Sequence, residues 1–273
     1  MLLTRVITAL CLLLLILPIL FLGPPPVLAG LMAVIVALAG WEFGRLIGLR
    51  RFWPYVYGLA CVIAMIAWHD LPARHAMLWL LQAAVVCWGI AVMLLSCGVR
   101  KPSPLISVVV GVIGLIILPA FGHATLLLRD LGIGVLLSVA VLVWAADIGA
   151  YFVGKAIGRR KLAPTISPGK SWEGALGGWV CALVVALVLA TTQVFAPTWF
   201  SRVAQHSGLV SVVLVATLLV VASVVGDLFE SLLKRQVGKK DSSRLLPGHG
   251  GVLDRIDALI PVFPLAALIA YYL

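Results

Sequence analysis

Leu12-Leu-Leu-Leu-Ile-Leu-Pro-Ile-Leu-Phe-Leu22 is a run of eleven residues without one charged or hydrogen-bonding side chain. Nothing in it alternates. A membrane-spanning strand is a segment of ~10 residues in which apolar and polar side chains take turns, so this run belongs to a helix. The same character returns along the whole chain. Of 273 residues, 63% are hydrophobic and only 11% charged, and the mean hydropathy is +1.18. Soluble domains are about 45–50% apolar and about 25% charged. This balance excludes a soluble globular domain, a disordered chain and a fibre. Only helices and closed barrels satisfy their backbone inside lipid, so the expected fold is an all-α polytopic integral membrane protein.

Nine apolar blocks are drawn at 6–22, 27–47, 54–68, 76–97, 104–122, 133–153, 172–195, 208–228 and 256–273. The third is the shortest. Most are long enough, at 1.5 Å per residue, to cross a core of ~30 Å. The first reads as an uncleaved helix rather than a signal peptide, because its apolar run is long and three prolines follow it. Breaks fall where Gly, Pro and charge collect, as at Gly23-Pro24-Pro25-Pro26 and Arg100-Lys101-Pro102. Nine spans put alternate loops on opposite sides. With Arg5 inside, one side receives 17 of the 20 Lys and Arg residues, and the other only Arg74, Arg129 and Arg202. Cytoplasmic loops collect Lys and Arg, so the N-terminus is expected in the cytoplasm and the C-terminus outside. The net charge of +10 is thereby a matter of topology, and no nucleic-acid partner is expected. The five cysteines lie in apolar blocks without metal-ligand spacing and read as packing residues. Residues 1–130 are expected to be N-terminal transmembrane helices. Residues 131–273 are expected to form the catalytic region, with cytoplasmic loops 155–171 and 229–253.

Acidic residues break the topological pattern. Asp70 and Asp130 sit in outside loops near Arg74 and Arg129, and Glu42 is read as the i,i+3 ion-pair partner of Arg45. The other seven of the ten lie between Asp147 and Asp257. Asp147 and Asp227 fall inside or at the end of apolar blocks. A carboxylate at the centre of a span costs roughly 2.5–3.5 kcal/mol on insertion scales, so such residues face polar cavities. Asp227, Ser231 and Lys234 follow at i, i+4 and i+7 along one helical stripe. Asp254 and Asp257 share a face at the start of the last block. Between them lie Lys239, Lys240, Arg244 and His249 with Gly248, Gly250 and Gly251. Hard carboxylate oxygens suit Mg²⁺, cations suit phosphate, and glycines let backbone N–H groups approach it. The combination points to a metal–polyphosphate site. A second basic segment, Lys155 to Gly174, has Ser171 placed to start a helix and interleaves Ser, Pro and Gly as an anion-holding loop would. Its Gly169-Lys170-Ser171 is not a P-loop, because the residue five before Gly169 is Pro164. Gly111, Gly114, Gly174, Gly177 and Gly178 are expected at close helix contacts.

The run Ser231-Leu-Leu-Lys234-Arg235-Gln-Val-Gly-Lys-Lys240-Asp241-Ser-Ser243-Arg-Leu-Leu246-Pro247-Gly-His249-Gly250-Gly251-Val252-Leu-Asp254-Arg255-Ile256-Asp257 closely resembles the signature of the CDP-diacylglycerol synthases (phosphatidate cytidylyltransferases). Asp147-x-x-Ala150-Tyr151, the stretch Lys161 to Gly174, and more weakly Ala39-Gly40-Trp41-Glu42-Phe43 extend the resemblance over most of the chain. The resemblance implies that CTP and phosphatidate give CDP-diacylglycerol and pyrophosphate with Mg²⁺, a second metal ion or K⁺ being left open. It implies Asp227 and Asp254 as metal carboxylates, with Ser231, Lys234, Lys240, Asp241, His249, Arg255 and Asp257 around them. Lys161, Ser167, Lys170 and Ser171 are expected to help hold CTP. It also implies a homodimer in a bacterial inner membrane, its site facing the cytoplasm and drawing phosphatidate from the membrane lipids. A transporter using Asp147 and Asp227 as ion sites would not need the dense Lys, Gly and His loop. A scaffold would not need acids in apolar helices. A CTP-using lipid kinase is the nearer rival.

Overall fold

The computed structural model describes residues 2–69, 74–192 and 197–273. Among the described residues, each of the nine apolar blocks falls mainly on helix, while Asp70 and residues 193–195 lie outside the described residues. In order these are α1 (Leu2–Leu22), α2 (Pro25–Leu46), α3 (Trp53–His69), α4 (Arg74–Ser96), α5 (Pro104–Asp130), α6 (Ile133–Ile157), α7 (Trp172–Thr191), α8 (Trp199–Gln236), α9 (Leu253–Ile256) and α10 (Leu259–Ala270). Among the described residues, six helices are long and apolar enough to cross a membrane: α2, α4, α5, α6, α7 and α8. Leu14, Leu105 and Val210 are more than 70% exposed. Outward apolar faces of this kind need lipid, not water, as their solvent. This is the architecture of a polytopic membrane protein.

Three elements differ from the sequence reading. The ninth block yields only the 12 residues of α10, about 18 Å of helix, too short to cross alone. Its Ile260, Val262, Phe263, Ala266 and Ala267 are buried, and Phe263 stacks on Phe121 of α5 at 5.6 Å. α10 is therefore a core element surrounded by α4, α5 and α8. The eighth block begins at a kink. Gly208, at φ 80°, divides α8 into a short first arm and a long second one. The first arm is started by a capping box between Thr198 and Ser201 and buries Trp199 and Phe200 completely. Finally, the chain is not wholly α-helical. Residues Lys161–Ala163 (β1) and Ser167–Ser171 (β2) form an antiparallel hairpin, with Lys161 opposite Ser171. Pro164 and Pro168 cannot continue a helix, so the segment after α6 becomes extended. The loops are also shorter than expected, because α6 runs to Ile157 and α8 to Gln236.

The glycines act as expected between α6 and α7. A Cβ on Gly149 would lie 2.7 Å from Cys181 Cβ and 3.1 Å from Gly178 Cα, and one on Gly174 would lie 2.8 Å from the Ala150 carbonyl. Backbones in such contact hold α6 and α7 as one slab, which α8 crosses. The slab fixes Asp147 on α6 relative to the start of α7.

Candidate active site

Helix ends and loops meet at one end of the bundle. The hairpin reaches α8 through Arg235, whose guanidinium donates to the Ile166 and Lys239 carbonyls at 3.2 Å each. Ser171 ends β2 and caps α7, accepting the Gly174 N–H at 3.1 Å. That junction sets Lys170 beside α8, where its Nζ lies 2.5 Å from Asp227 Oδ2. Ser231 Oγ donates to the other Asp227 oxygen at 3.3 Å, one helical turn on, as the stripe requires. Asp227, Asp147, Lys170 and Ser171 line one cavity of about 350 Å³ between α6, α7 and α8. Lys161 and Ser167 are not in its lining.

A second network lies behind Asp227. Lys234 is buried and ion-paired to Glu230, one turn back on α8, and to Asp254 Oδ1 at 2.7 Å. Asp254 also accepts from the Ser242 N–H at 3.0 Å, the Ser242 hydroxyl at 2.8 Å and the Gly251 N–H at 2.7 Å. Burial alone would push the Asp254 carboxyl up, but the hydrogen bonds from Lys234 and Gly251 outweigh it and hold the group at about 2. The loop glycines thus let the Asp254 and Glu42 carboxylates approach the backbone closely. A Cβ on Gly250, at φ 85°, would meet Asp254 Oδ2 at 2.7 Å, and one on Gly251 would collide with Ser242 Oγ and Glu42. Arg255 spends its Nε and one terminal nitrogen on the His249 carbonyl, at 2.9 and 2.6 Å. Asp257 accepts the next N–H, that of Ala258, at 2.8 Å. Lys240 and Asp241 lie apart from the first cavity and line a second one.

Glu42 overturns its expected role. It is fully buried and makes no ion pair with Arg45, which lies over the Trp41 ring at 4.9 Å instead. Its carboxylate crosses from α2 to accept from Ser243 Oγ at 2.6 Å, Leu253 N–H at 2.6 Å and Val252 N–H at 3.0 Å, while Ser242 Oγ, 3.1 Å away, shares its one proton between Glu42 and Asp254. Three donors and a shared hydroxyl around one carboxylate compensate its burial.

This arrangement carries paired carboxylates and ammonium groups at the bundle end, all held from sequence positions 42 to 257. The pattern of the cytidylyltransferase family covers residues 3–273. The chain belongs to the cytidylyltransferase family. The phosphatidate cytidylyltransferase of Pseudomonas aeruginosa is 41% identical over 279 residues, covering 98% of this chain and 96% of its own length. Those of Haemophilus influenzae and Bacillus subtilis are 50% and 45% identical over about half of this chain and 44% and 47% of their own lengths.

In this cytidylyltransferase, sequence reasoning missed Glu42, Glu230 and Ser242, and left Asp147 without a role. The only sequence signal for Glu42 was the Trp41-Glu42-Phe43 resemblance. Among the described residues no cluster of three or more Asp, Glu, His or Cys groups has ligating geometry. Mg²⁺ is commonly held by one or two carboxylates with substrate phosphates and water completing its shell. Asp227 fits that use: it is partly exposed, lines the cavity with Asp147, and already holds an ammonium group. Asp254 is committed to the loop and to Lys234.

Proposed function

We infer that the chain is a phosphatidate cytidylyltransferase, transferring the cytidylyl group of CTP to phosphatidate to give CDP-diacylglycerol and pyrophosphate. The full-length similarity to the Pseudomonas aeruginosa enzyme carries this reading. A phosphatidate oxygen attacks the α-phosphorus of CTP, a new P–O bond forms, and the bond to the β-phosphate oxygen breaks. The nucleophile is already an anion, so no strong base is required. The barrier is the approach of anion to anion and the charge gathered on the leaving pyrophosphate.

The residues of the cavity address both. Lys170 is placed to release Asp227 and take a phosphoryl oxygen, and Ser231 orients the carboxylate that remains. Asp227, with Asp147 across the cavity, would hold Mg²⁺; Asp254 would join only by giving up Lys234. When bound, the metal supplies charge neutralisation at the transferring phosphoryl group. The apolar lining toward Val220 and Trp179 suits entry of a lipid from the bilayer. The hairpin carrying Lys170, the loop carrying Lys240 and the inner end of α2 gather at one end of the bundle, which supports placing the site and all these basic segments on the cytoplasmic face of an inner membrane. Homodimer formation belongs to the same reading through the family resemblance.

The test is pyrophosphate release by purified protein in detergent. Release should require CTP, phosphatidate and Mg²⁺ together, stop with chelator, and fall by roughly two orders of magnitude or more in Asp227→Asn. Release without phosphatidate, or an unimpaired Asp227→Asn variant, would overturn the assignment.

A further inference from the structure

The hairpin after α6 does not by itself fix Lys170. Its ladder pairs Lys161 with Ser171 and Ala163 with Ser167, so Pro168, Gly169 and Lys170 of β2 stand opposite Leu162 alone. A bulge of this kind leaves residues unpaired and re-aims their side chains. Lys170 nevertheless reaches Asp227, so its place is set by what holds the ends of the hairpin. The turn is held by Arg235, which donates to the Ile166 carbonyl at 3.2 Å. The base is held by Glu173, which does not line the Asp227 cavity. Its Oε2 accepts the Arg159 N–H at 3.1 Å, and the Arg160 N–H is shared between Oε1 and Oε2 at 3.2 Å each. One carboxylate in the first turn of α7 thereby grips the two residues at which the chain leaves α6. The Trp172 N–H donates back to the Arg160 carbonyl at 2.9 Å, and a Cβ on Gly158 would lie 2.6 Å from Ser171 Oγ, so the two ends of the hairpin meet closely there. Arg159 and Arg160 are exposed. Water can satisfy their N–H groups in place of the carboxylate, so what Glu173 adds is position more than stability.

We propose that Glu173 is a positioning residue: its carboxylate closes the base of the hairpin, and the closed base aims the bulge so that Lys170 points at Asp227. This rests on the reading that Lys170 takes a phosphoryl oxygen of CTP in that cavity. An acid in the first turn of a helix also favours the helix dipole, and reach separates the two roles. Glu173→Asp keeps the charge at the start of α7, but it is a methylene shorter and falls short of Arg159 and Arg160. Glu173→Gln loses the charge but keeps the length and one acceptor oxygen. Positioning therefore ranks Gln above Asp, and the dipole ranks Asp above Gln.

Acylation of full-length protein in neutral detergent by an amine-reactive ester, read at Lys170 against exposed Lys101 by peptide mass spectrometry, tests it without turnover. An ammonium held on a carboxylate is shielded, so Lys170 should react slowly in wild type. It should react several-fold faster in Glu173→Ala and Glu173→Asp, with Glu173→Gln between these and wild type. In pyrophosphate release, the Ala and Asp variants should raise KM for CTP about 10-fold, the loss of one charged hydrogen bond. Their kcat should stay close to that of wild type, because the contact is made before and during transfer alike. KM for phosphatidate and the melting temperature should keep their wild-type values. Wild-type acylation of Lys170 in Glu173→Ala, or a wild-type Asp variant beside an impaired Gln variant, would overturn the proposal. If wild type itself releases no pyrophosphate, the cytidylyl-transfer reading falls, and the acylation ranking alone decides the role of Glu173.

Discussion

Glu42 holds together residues about 200 positions away in sequence. It touches no cavity-lining group of the Asp227 site, so it acts as a positioning residue for the loop that places Asp254. Glu42→Gln keeps its size but presents an N–H₂ group to donors that need an acceptor. An unsatisfied buried donor costs about 1–3 kcal/mol. The variant should insert normally, lose at least ~10-fold in turnover with little change in KM for CTP, and become sensitive to protease between residues 242 and 252. Unchanged turnover and protease resistance would deny the role. Lys234 is the cation between Glu230 and Asp254. Removing one partner of such a buried network costs about 3–5 kcal/mol. Lys234→Ala should therefore lose nearly all activity and melt lower. Lys234→Arg should lose most activity, because a planar fork cannot occupy the place of a compact ammonium. Full activity of Lys234→Arg would show that charge alone suffices. The Asp227–Ser231–Lys234 stripe was legible because helical spacing fixes neighbours one turn apart. Glu42 was not, because no local spacing rule reaches from α2 to a loop after α8.

Among the elements, the loop 237–252 is the one whose shape depends most on backbone. Gly251 stands where a side chain would strike Glu42 and Ser242. Gly251→Ala should thus displace both carboxylates' partners and cut turnover by roughly an order of magnitude or more, measured as initial rate at saturating substrates. A wild-type rate would mean the loop accommodates a methyl group freely. Hydropathy located the helices because apolar runs ended by Pro, Gly and charge leave few alternatives. It could not see that α10 is covered by protein instead of lipid, since both solvents select the same residues. The hairpin escaped it because two prolines predict a break but not which extended path follows. The kink at Gly208 coincides with the expected start of the eighth block, yet the buried first arm before it carried too few apolar residues to stand out.

At the scale of the whole molecule, the lysines and arginines divide by side only if the span count is right, and α10 is the element that strains that count. A cysteine at Ser207, exposed beside the kink, should react with an impermeant thiol reagent from outside after the native cysteines are replaced. One at Leu245, exposed in the basic loop, should not. Labelling of both, or the reverse, would contradict the orientation. The cytidylyl group, and not a terminal phosphoryl group, passes to phosphatidate. Purified protein given CTP labelled at the α-phosphate or at the γ-phosphate, with phosphatidate and Mg²⁺, tests this most directly. The α-label should enter the lipid, and the γ-label should be released as water-soluble pyrophosphate. Transfer of γ-label to lipid, with the α-label left in CDP, would contradict it and mark a CTP-using lipid kinase.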